Sequence, residues 1–252
     1  MTTYPWVTPL SRKHHIPRQN SANYERSFFG RRQGRSTSPL RIGILDDLLP
    51  KIELPEEKLL LEQNISPEEL FGRPYSKYWL EIGFGYGEHM ATLLRNNPDT
   101  GYLGAEPFIG GMSAFLMNLQ EDEAHDNVRA LMDDGMIIAR SIKPNSLDGI
   151  YVLNPDPWHK KRHHKRRIIN QVNLDVFADI LKPGAPLVLT TDVENLAEWM
   201  CTQASNHPAF KWTANSKDDF YTPPKDWITT RYEEKGAKGA KKMVYMFFER
   251  KE

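Results

Sequence analysis

Asn154-Pro155-Asp156-Pro157-Trp158 sets one carboxylate between two proline rings and follows it with an indole. The rings fix the backbone around Asp156, so its carboxylate is aimed with little entropy left to lose. Trp158 offers an aromatic face on which a base could stack. Lys160, Lys161, Arg162, Lys165, Arg166 and Arg167 follow at once, a block of cations suited to phosphates. His163 and His164 lie inside that block, without metal-ligand spacing to any other His or Cys, and read as part of it. A charge run is ordinarily a solvated face. This one adjoins an apolar run, Leu147 to Leu153, that reads as a buried strand, and an acid, an indole and cations at a strand end suit a nucleic-acid base.

A second constellation is Glu81-Ile82-Gly83-Phe84-Gly85-Tyr86-Gly87-Glu88. Gly83, Gly85 and Gly87 let the backbone turn tightly and approach a ligand that a Cβ would repel. A dinucleotide fingerprint needs glycine where Glu88 stands. Glu81 and Glu88 would repel a pyrophosphate and suit a positively charged ligand, such as the sulfonium and amino group of S-adenosylmethionine. Glu106 ends the next apolar run, where a carboxylate can accept from ribose hydroxyls. Asp133-Asp134 ends the third, and Asp134 is placed to accept from an adenine amino group. Each acid alone could be a solvated loop residue; three consecutive strand ends carrying such groups make a series. Thr190-Thr191-Asp192 and Thr230-Arg231-Tyr232-Glu233 add two further polar turns.

The elements that position these groups follow from hydrophobic spacing. Strands are expected at Tyr78–Ile82, Tyr102–Ala105, Val128–Met132, Leu147–Leu153 and Pro186–Thr190. Two final strands are expected at Lys211–Ala214 and Met243–Phe248. Helical patterns through Met90–Leu94, Met112–Leu119, Ile168–Leu181 and Leu196–Ala204 fall between them. Such alternation predicts an α/β fold with a mostly parallel sheet and helices on both faces, whose ligands sit beyond the carboxyl ends of the strands.

The chain has 252 residues, enough for one sizeable domain with extensions. Its 33 basic and 33 acidic residues balance, so attraction to an anionic partner depends on local distribution. From Arg12 to Arg41 Glu25 is the lone acid among eight basic residues, and the stretch after it is acidic. Residues 1–40 read as a basic, partly disordered arm and 41–252 as one domain, with Tyr24–Arg35 ordering on a partner or ligand. The single cysteine, Cys201, excludes an intramolecular disulfide and a cysteine zinc cluster. No apolar run is long enough to span a bilayer or act as a signal peptide, which makes a cytoplasmic setting the expectation.

Taken in order, these residues resemble the bacterial tRNA (guanine-N7)-methyltransferases. The resemblance rests on the Glu81-Ile82-Gly83-Phe84-Gly85 loop, the Pro155-Asp156-Pro157-Trp158 turn with its basic block, Thr191-Asp192, and Thr230-Arg231-Tyr232-Glu233. The arm Arg26-Ser27-Phe28-Phe29-Gly30-Arg31-Arg32-Gln33-Gly34-Arg35 adds to it. It covers about residues 24–250 and implies a Rossmann-like class I methyltransferase fold whose final strand is antiparallel. It implies S-adenosylmethionine contacts from Glu81, Glu106, Asp134, Asp156 and the backbone of Gly83, Gly85 and Gly87, with Asp156 catalytic. Lys160, Asp192, Thr230, Arg231, Tyr232 and Glu233 match substrate-binding positions, and Arg162, His163, His164, Lys165, Arg166 and Arg167 match the RNA-contacting segment. The implied product is 7-methylguanosine at position 46 of tRNA, formed without metal, membrane or obligatory protein partner, by a monomer or homodimer. Asn154, Tyr86 and Pro107-Phe108 depart from the commonest pattern without removing a proposed hydrogen-bonding group.

Two other readings remain open at this level. Asn154-Pro155-Asp156-Pro157 partly resembles the Asn-Pro-Pro-aromatic turn of enzymes that methylate exocyclic amines, though Asp156 separates the prolines. The third is an RNA-binding protein that kept the fold without catalysis.

Overall fold

The computed structural model describes residues 29–34, 38–61, 63–120, 126–238 and 242–252. The expectations for residues 1–28 and for Arg35 lie outside the described residues. Among the described residues, seven strands form one sheet: β1 (Lys77–Ile82), β2 (Thr100–Ala105), β3 (Val128–Leu131), β4 (Gly149–Leu153), β5 (Pro186–Thr191), β6 (Phe210–Trp212) and β7 (Val244–Arg250). Their spatial order is β3-β2-β1-β4-β5-β7-β6. The first five run parallel, β7 is antiparallel to β5, and β6 is antiparallel to β7. The order reverses between β1 and β4, and the crevice beyond their carboxyl ends is where an open parallel sheet holds its ligand.

The helices are α1 (Pro39–Ile52), α2 (Glu56–Leu61), α3 (Pro67–Phe71), α4 (Glu88–Asn96), α5 (Ile109–Gln120) and α6 (Gly135–Ser141). Next come α7 (Gln171–Ile180), α8 (Glu194–Ser205), α9 (Asp218–Tyr221) and α10 (Arg231–Lys238), with a 3-10 helix at Lys161–Arg166. None is long and apolar enough to cross a membrane. In α7, Leu174, Phe177 and Ala178 are buried at helical spacing, and the Asn170 side chain caps the start by accepting from the Asn173 amide at 3.0 Å. Helix α6 shows no such stripe: Gly135, Met136, Ile137, Ile138, Ala139 and Ser141 are all buried. A helix covered all round carries no amphipathic period, so sequence spacing misses it.

Alternation along β1 sends Leu80 and Ile82 to one face, with Leu103, Ala105, Ile150 and Val152, and this core continues into α6, α7 and α8. Tyr102, Val128 and Ala130 join Met90, Phe115 and α1 on the other side. Each fully buried large apolar side chain, Phe115 or Phe177 for example, contributes about 1.5–3 kcal/mol relative to exposure.

Strand β4 starts later than expected. Asp148 accepts from the Tyr78 amide at 2.8 Å and pairs with Lys182 at 2.8 Å, while Leu147 forms only an isolated bridge to Leu181. Helices α1, α2, α3 and α6 lie where no element was predicted, and the Thr230–Glu233 turn opens helix α10.

Candidate active site

The glycine loop after β1 uses a conformation that L side chains rarely adopt: φ is 74° at Gly83, 59° at Gly85 and 74° at Gly87. A Cβ at Gly83 or Gly85 would point into open space, whereas at Gly87 it would meet the Phe115 ring at 2.3 Å. Gly83 and Gly85 therefore keep a cleft clear, and Gly87 permits packing as it starts α4. On the far wall Glu106 accepts from the Gly85 amide and from the Phe108 amide, both at 2.8 Å. Burial raises the Glu106 carboxyl to about 7, against the lowering effect of those two amides, with Asp156 and Glu81 raising it further.

Gly83, Gly85, Glu106 and Phe108 border a cleft of about 610 Å³, which Gly87 does not line. Ile82, Met136, Val152 and Phe108 give it apolar walls, and Glu106, Asp134 and Asp156 give it carboxylates. Asp134 also caps α6, its Oδ1 accepting from the Met136 amide at 3.0 Å. Asp156 is exposed but partly desolvated by its surroundings, which raises its pKa. No hydrogen bond to its carboxylate comes from any described residue. The turn holds two rare backbone conformations, φ 49° at Asn154 and 46° at Trp158. Asn tolerates that region; an indole-bearing residue there stores strain of order 1 kcal/mol, as active-site turns do.

The basic block forms the rim. Arg166 lies 5.1 Å over the Trp158 ring and 4.9 Å over Phe29, and Phe29 meets Trp158 edge-on at 6.4 Å. Phe29, Gly30 and Arg31 line the cleft, Arg32 forms an ion pair with Asp133, and its carbonyl accepts from the Ile109 amide at 3.0 Å. Lys160 and His163 share a second depression, of about 340 Å³, with Asp156 and Trp158. Partial desolvation lowers His163, and the Arg166, Arg162 and Lys160 cations add to this. Arg162 and Lys165 are exposed, and His164 packs edge-on against Trp199 at 5.6 Å.

Arg167 corrects an expectation. Read as an RNA-contacting cation, it is only 1% exposed. Its Nε donates to the Pro157 carbonyl at 3.0 Å and its terminal nitrogen to Asn195 Oδ1 at 2.5 Å. Its donors are spent holding the Asp156 turn against α8, so they are not offered to phosphate.

The remaining predicted residues, Glu81 among them, do not line the cleft but are linked to one another by hydrogen bonds and ion pairs. Glu81 is 2% exposed and bonds His89 Nδ1 at 2.9 Å. Glu88 pairs with Arg231, Tyr232 donates to Asp192 at 3.1 Å, and the Glu233 amide reaches Thr230 Oγ1 at 3.3 Å. Glu233 accepts from Trp227 Nε1 at 3.0 Å and keeps its Oε1 buried without a partner among the described residues. Burial raises its pKa, while the Trp227 bond and His89 lower it. His89, Trp227 and the Arg32–Asp133 pair carried no local sequence signal; only folding joins them.

Sheet order, crevice and glycine loop define a class I methyltransferase. Residues 76–246 match the family model described as "Putative methyltransferase". A tRNA (guanine-N(7)-)-methyltransferase of Rhodospirillum rubrum is 37% identical over 224 residues, 89% of this chain and 88% of that protein. Its counterpart in Bartonella quintana is 39% identical over 228 residues, 89% and 96% of the two chains. The crystal structure of the 16S rRNA methyltransferase KamB superposes with a TM-score of 0.50 at 14% identity, covering 71% of this chain and 89% of that one, a likeness of fold alone. The chain belongs to the tRNA (guanine-N7)-methyltransferase family.

Proposed function

We propose that this protein transfers a methyl group from S-adenosylmethionine to N7 of guanosine 46 in the variable loop of tRNA. One observation carries the reading: a cleft of about 610 Å³ at the sheet's switch point is bordered by Gly83, Gly85, Glu106, Asp134 and Asp156 and rimmed by cations. Family membership and the activity for which the relatives are named support it.

The cleft fits the cofactor. Open space over Gly83 and Gly85 admits its chain, Glu106 can accept from ribose hydroxyls and Asp134 from the adenine amine. Apolar Ile82, Met136 and Val152 suit the purine faces. When bound, the cofactor supplies an electrophilic methyl group. The protein's own work is positioning, because guanine N7 carries an in-plane lone pair and no proton, so no general base is needed. Asp156 aims the base at the junction of the cleft and the Lys160 depression, and its charge offsets the positive charge forming on the purine. Glu233, whose buried Oε1 has no partner among the described residues, and Asp192 are the candidates to accept from guanine N1–H and the exocyclic amine. Lys160, Arg162, Lys165 and Arg166 bind the RNA backbone. Residues 41–252 act as the methyltransferase domain and 1–40 as its basic arm, in a cytoplasmic enzyme with no obligatory protein partner.

The test incubates purified protein, S-adenosylmethionine and unmodified tRNA transcript, then identifies methylated nucleosides by mass spectrometry. A second transcript carries adenosine at position 46. 7-Methylguanosine from the first alone is the expected result. A methylated exocyclic amine, or 7-methylguanosine from both transcripts, would overturn the assignment of atom or site.

A further inference from the structure

The residues proposed for the cofactor and for the base are joined by a chain of side chains, buried but for the half-buried Trp227, that none of those roles explains. His89, on α4, is 3% exposed and holds Glu81 Oε2 at 2.9 Å. Its ring meets Tyr151 edge-on at 4.7 Å, and the Trp227 ring lies 5.9 Å away. Trp227 in turn donates to Glu233 Oε2 at 3.0 Å and packs edge-on against Tyr245 at 5.2 Å. Tyr245 stands opposite Thr190 in the β5–β7 register, and the Thr190 hydroxyl, like Glu233 Oε1, is buried without a partner among the described residues. The series Glu81, His89, Trp227, Glu233 runs from the end of β1 to helix α10. Its two ends are carboxylates 2% and 3% exposed.

A stable core does not need this arrangement. Two buried carboxylates are costly, and a buried ion pair is at best neutral for stability compared with apolar packing. What it achieves is mechanical. Because the buried imidazole and the half-buried indole are rigid and packed against each other, Glu233 is placed by the same contacts that place Glu81. The Arg231–Glu88 pair at 3.4 Å and the Arg231 amide to Glu88 bond at 2.8 Å fasten α10 to the start of α4 alongside it.

We propose that His89 is a positioning residue that couples the two halves of the site, so that filling the cofactor cleft sets Glu233 for the guanine base. This rests on the reading of Glu81 as a cofactor group and Glu233 as a base-binding group. Coupling of this kind is reciprocal: cofactor raises affinity for tRNA by the factor by which tRNA raises affinity for cofactor.

The probes are S-adenosylhomocysteine, which cannot donate a methyl group, and the unmodified tRNA transcript. The dissociation constant of the tRNA is measured with the full chain, with and without saturating S-adenosylhomocysteine. The wild type is expected to bind tRNA about fivefold or more tighter with the cofactor product present, within the usual range of coupling energies. His89→Phe should reduce that factor to below about twofold, and His89→Asn, which keeps a donor near the Nδ1 position, should restore most of it. Trp227→Phe keeps a packed ring and removes the donor to Glu233. It gives the same reading should His89→Phe fail to fold, with the same expected loss. A wild type without coupling, or variants that keep it in full, would overturn the proposal. Methylation by the wild type is assayed in parallel: absence of 7-methylguanosine strikes at the activity itself, whereas normal product with unaltered coupling strikes at His89 alone.

Discussion

The guanidinium of Arg166 lies 5.1 Å from the centre of the Trp158 ring, tying the basic block to the residue that follows the Asp156 turn. Phe29 also packs against the same guanidinium, at 4.9 Å, which brings the described end of the arm to the rim of the cleft. Cations proposed to bind RNA thus also shape the wall of the cleft, and the two duties can be separated by substitution.

Asp156→Asn should lower kcat/KM for tRNA methylation by about 100-fold, the usual cost of one group that stabilises developing charge. The carboxylate is exposed and bonds no described side chain, so thermal stability should stay within about 0.5 kcal/mol of wild type. Steady-state methylation and a thermal melt check both halves of the prediction.

Glu106 should make both stability and cofactor binding depend on pH. Its carboxyl sits at about 7 in the folded chain against an ordinary value of 4.5, so the folded state holds the extra proton between those values. The stability this contributes is full below pH 4.5 and is lost as pH rises through about 7. Affinity for S-adenosylmethionine should rise over the same window, because accepting from ribose hydroxyls calls for the ionised form. Melting temperatures and calorimetric titrations from about pH 5 to 8 should show opposite slopes, and Glu106→Gln should flatten both.

Arg167 and Lys165 should behave differently although they are two residues apart. Arg167→Met leaves the Pro157 carbonyl and Asn195 without their donor and should cost about 2–3 kcal/mol of folding stability. Lys165→Ala should leave stability unchanged and reduce the slope of log affinity for tRNA against log salt by about 1. Denaturant melts and binding at several salt concentrations distinguish them.

Gly111→Ala should weaken cofactor binding. The added Cβ would stand 2.5 Å from the Gly85 carbonyl oxygen and 2.9 Å from Glu106 Cγ, and backbone cannot swing aside as a flexible side chain does. Displacement of the loop should cost roughly tenfold in S-adenosylmethionine affinity, equivalent to about 1.4 kcal/mol. Calorimetry on the folded variant measures it.

The strands were legible in the residues because each is a short apolar run bounded by turn residues. The polar groups at their ends were legible as a series across consecutive strand ends, since each alone could be a solvated loop residue. The antiparallel pairing of β7 with β5 adds register that spacing alone does not specify. Helix α6 was not legible, since burial on every side erases its period. Asp134 was read as a ligand group, and its second task as the cap of that helix came only with the helix.

What the chain determines by itself is local: glycines that permit positive φ, prolines that aim Asp156, and a block of cations directly after that turn. Which cations face solvent was decided by tertiary structure, because Arg167 found the Pro157 carbonyl and Asn195 within reach and its neighbours did not. The pairing of Glu81 with His89 and of Trp227 with Glu233 was decided the same way. Buried polar groups take whichever partner the packed fold brings close, and that proximity arises from the crossing of distant segments rather than from sequence spacing.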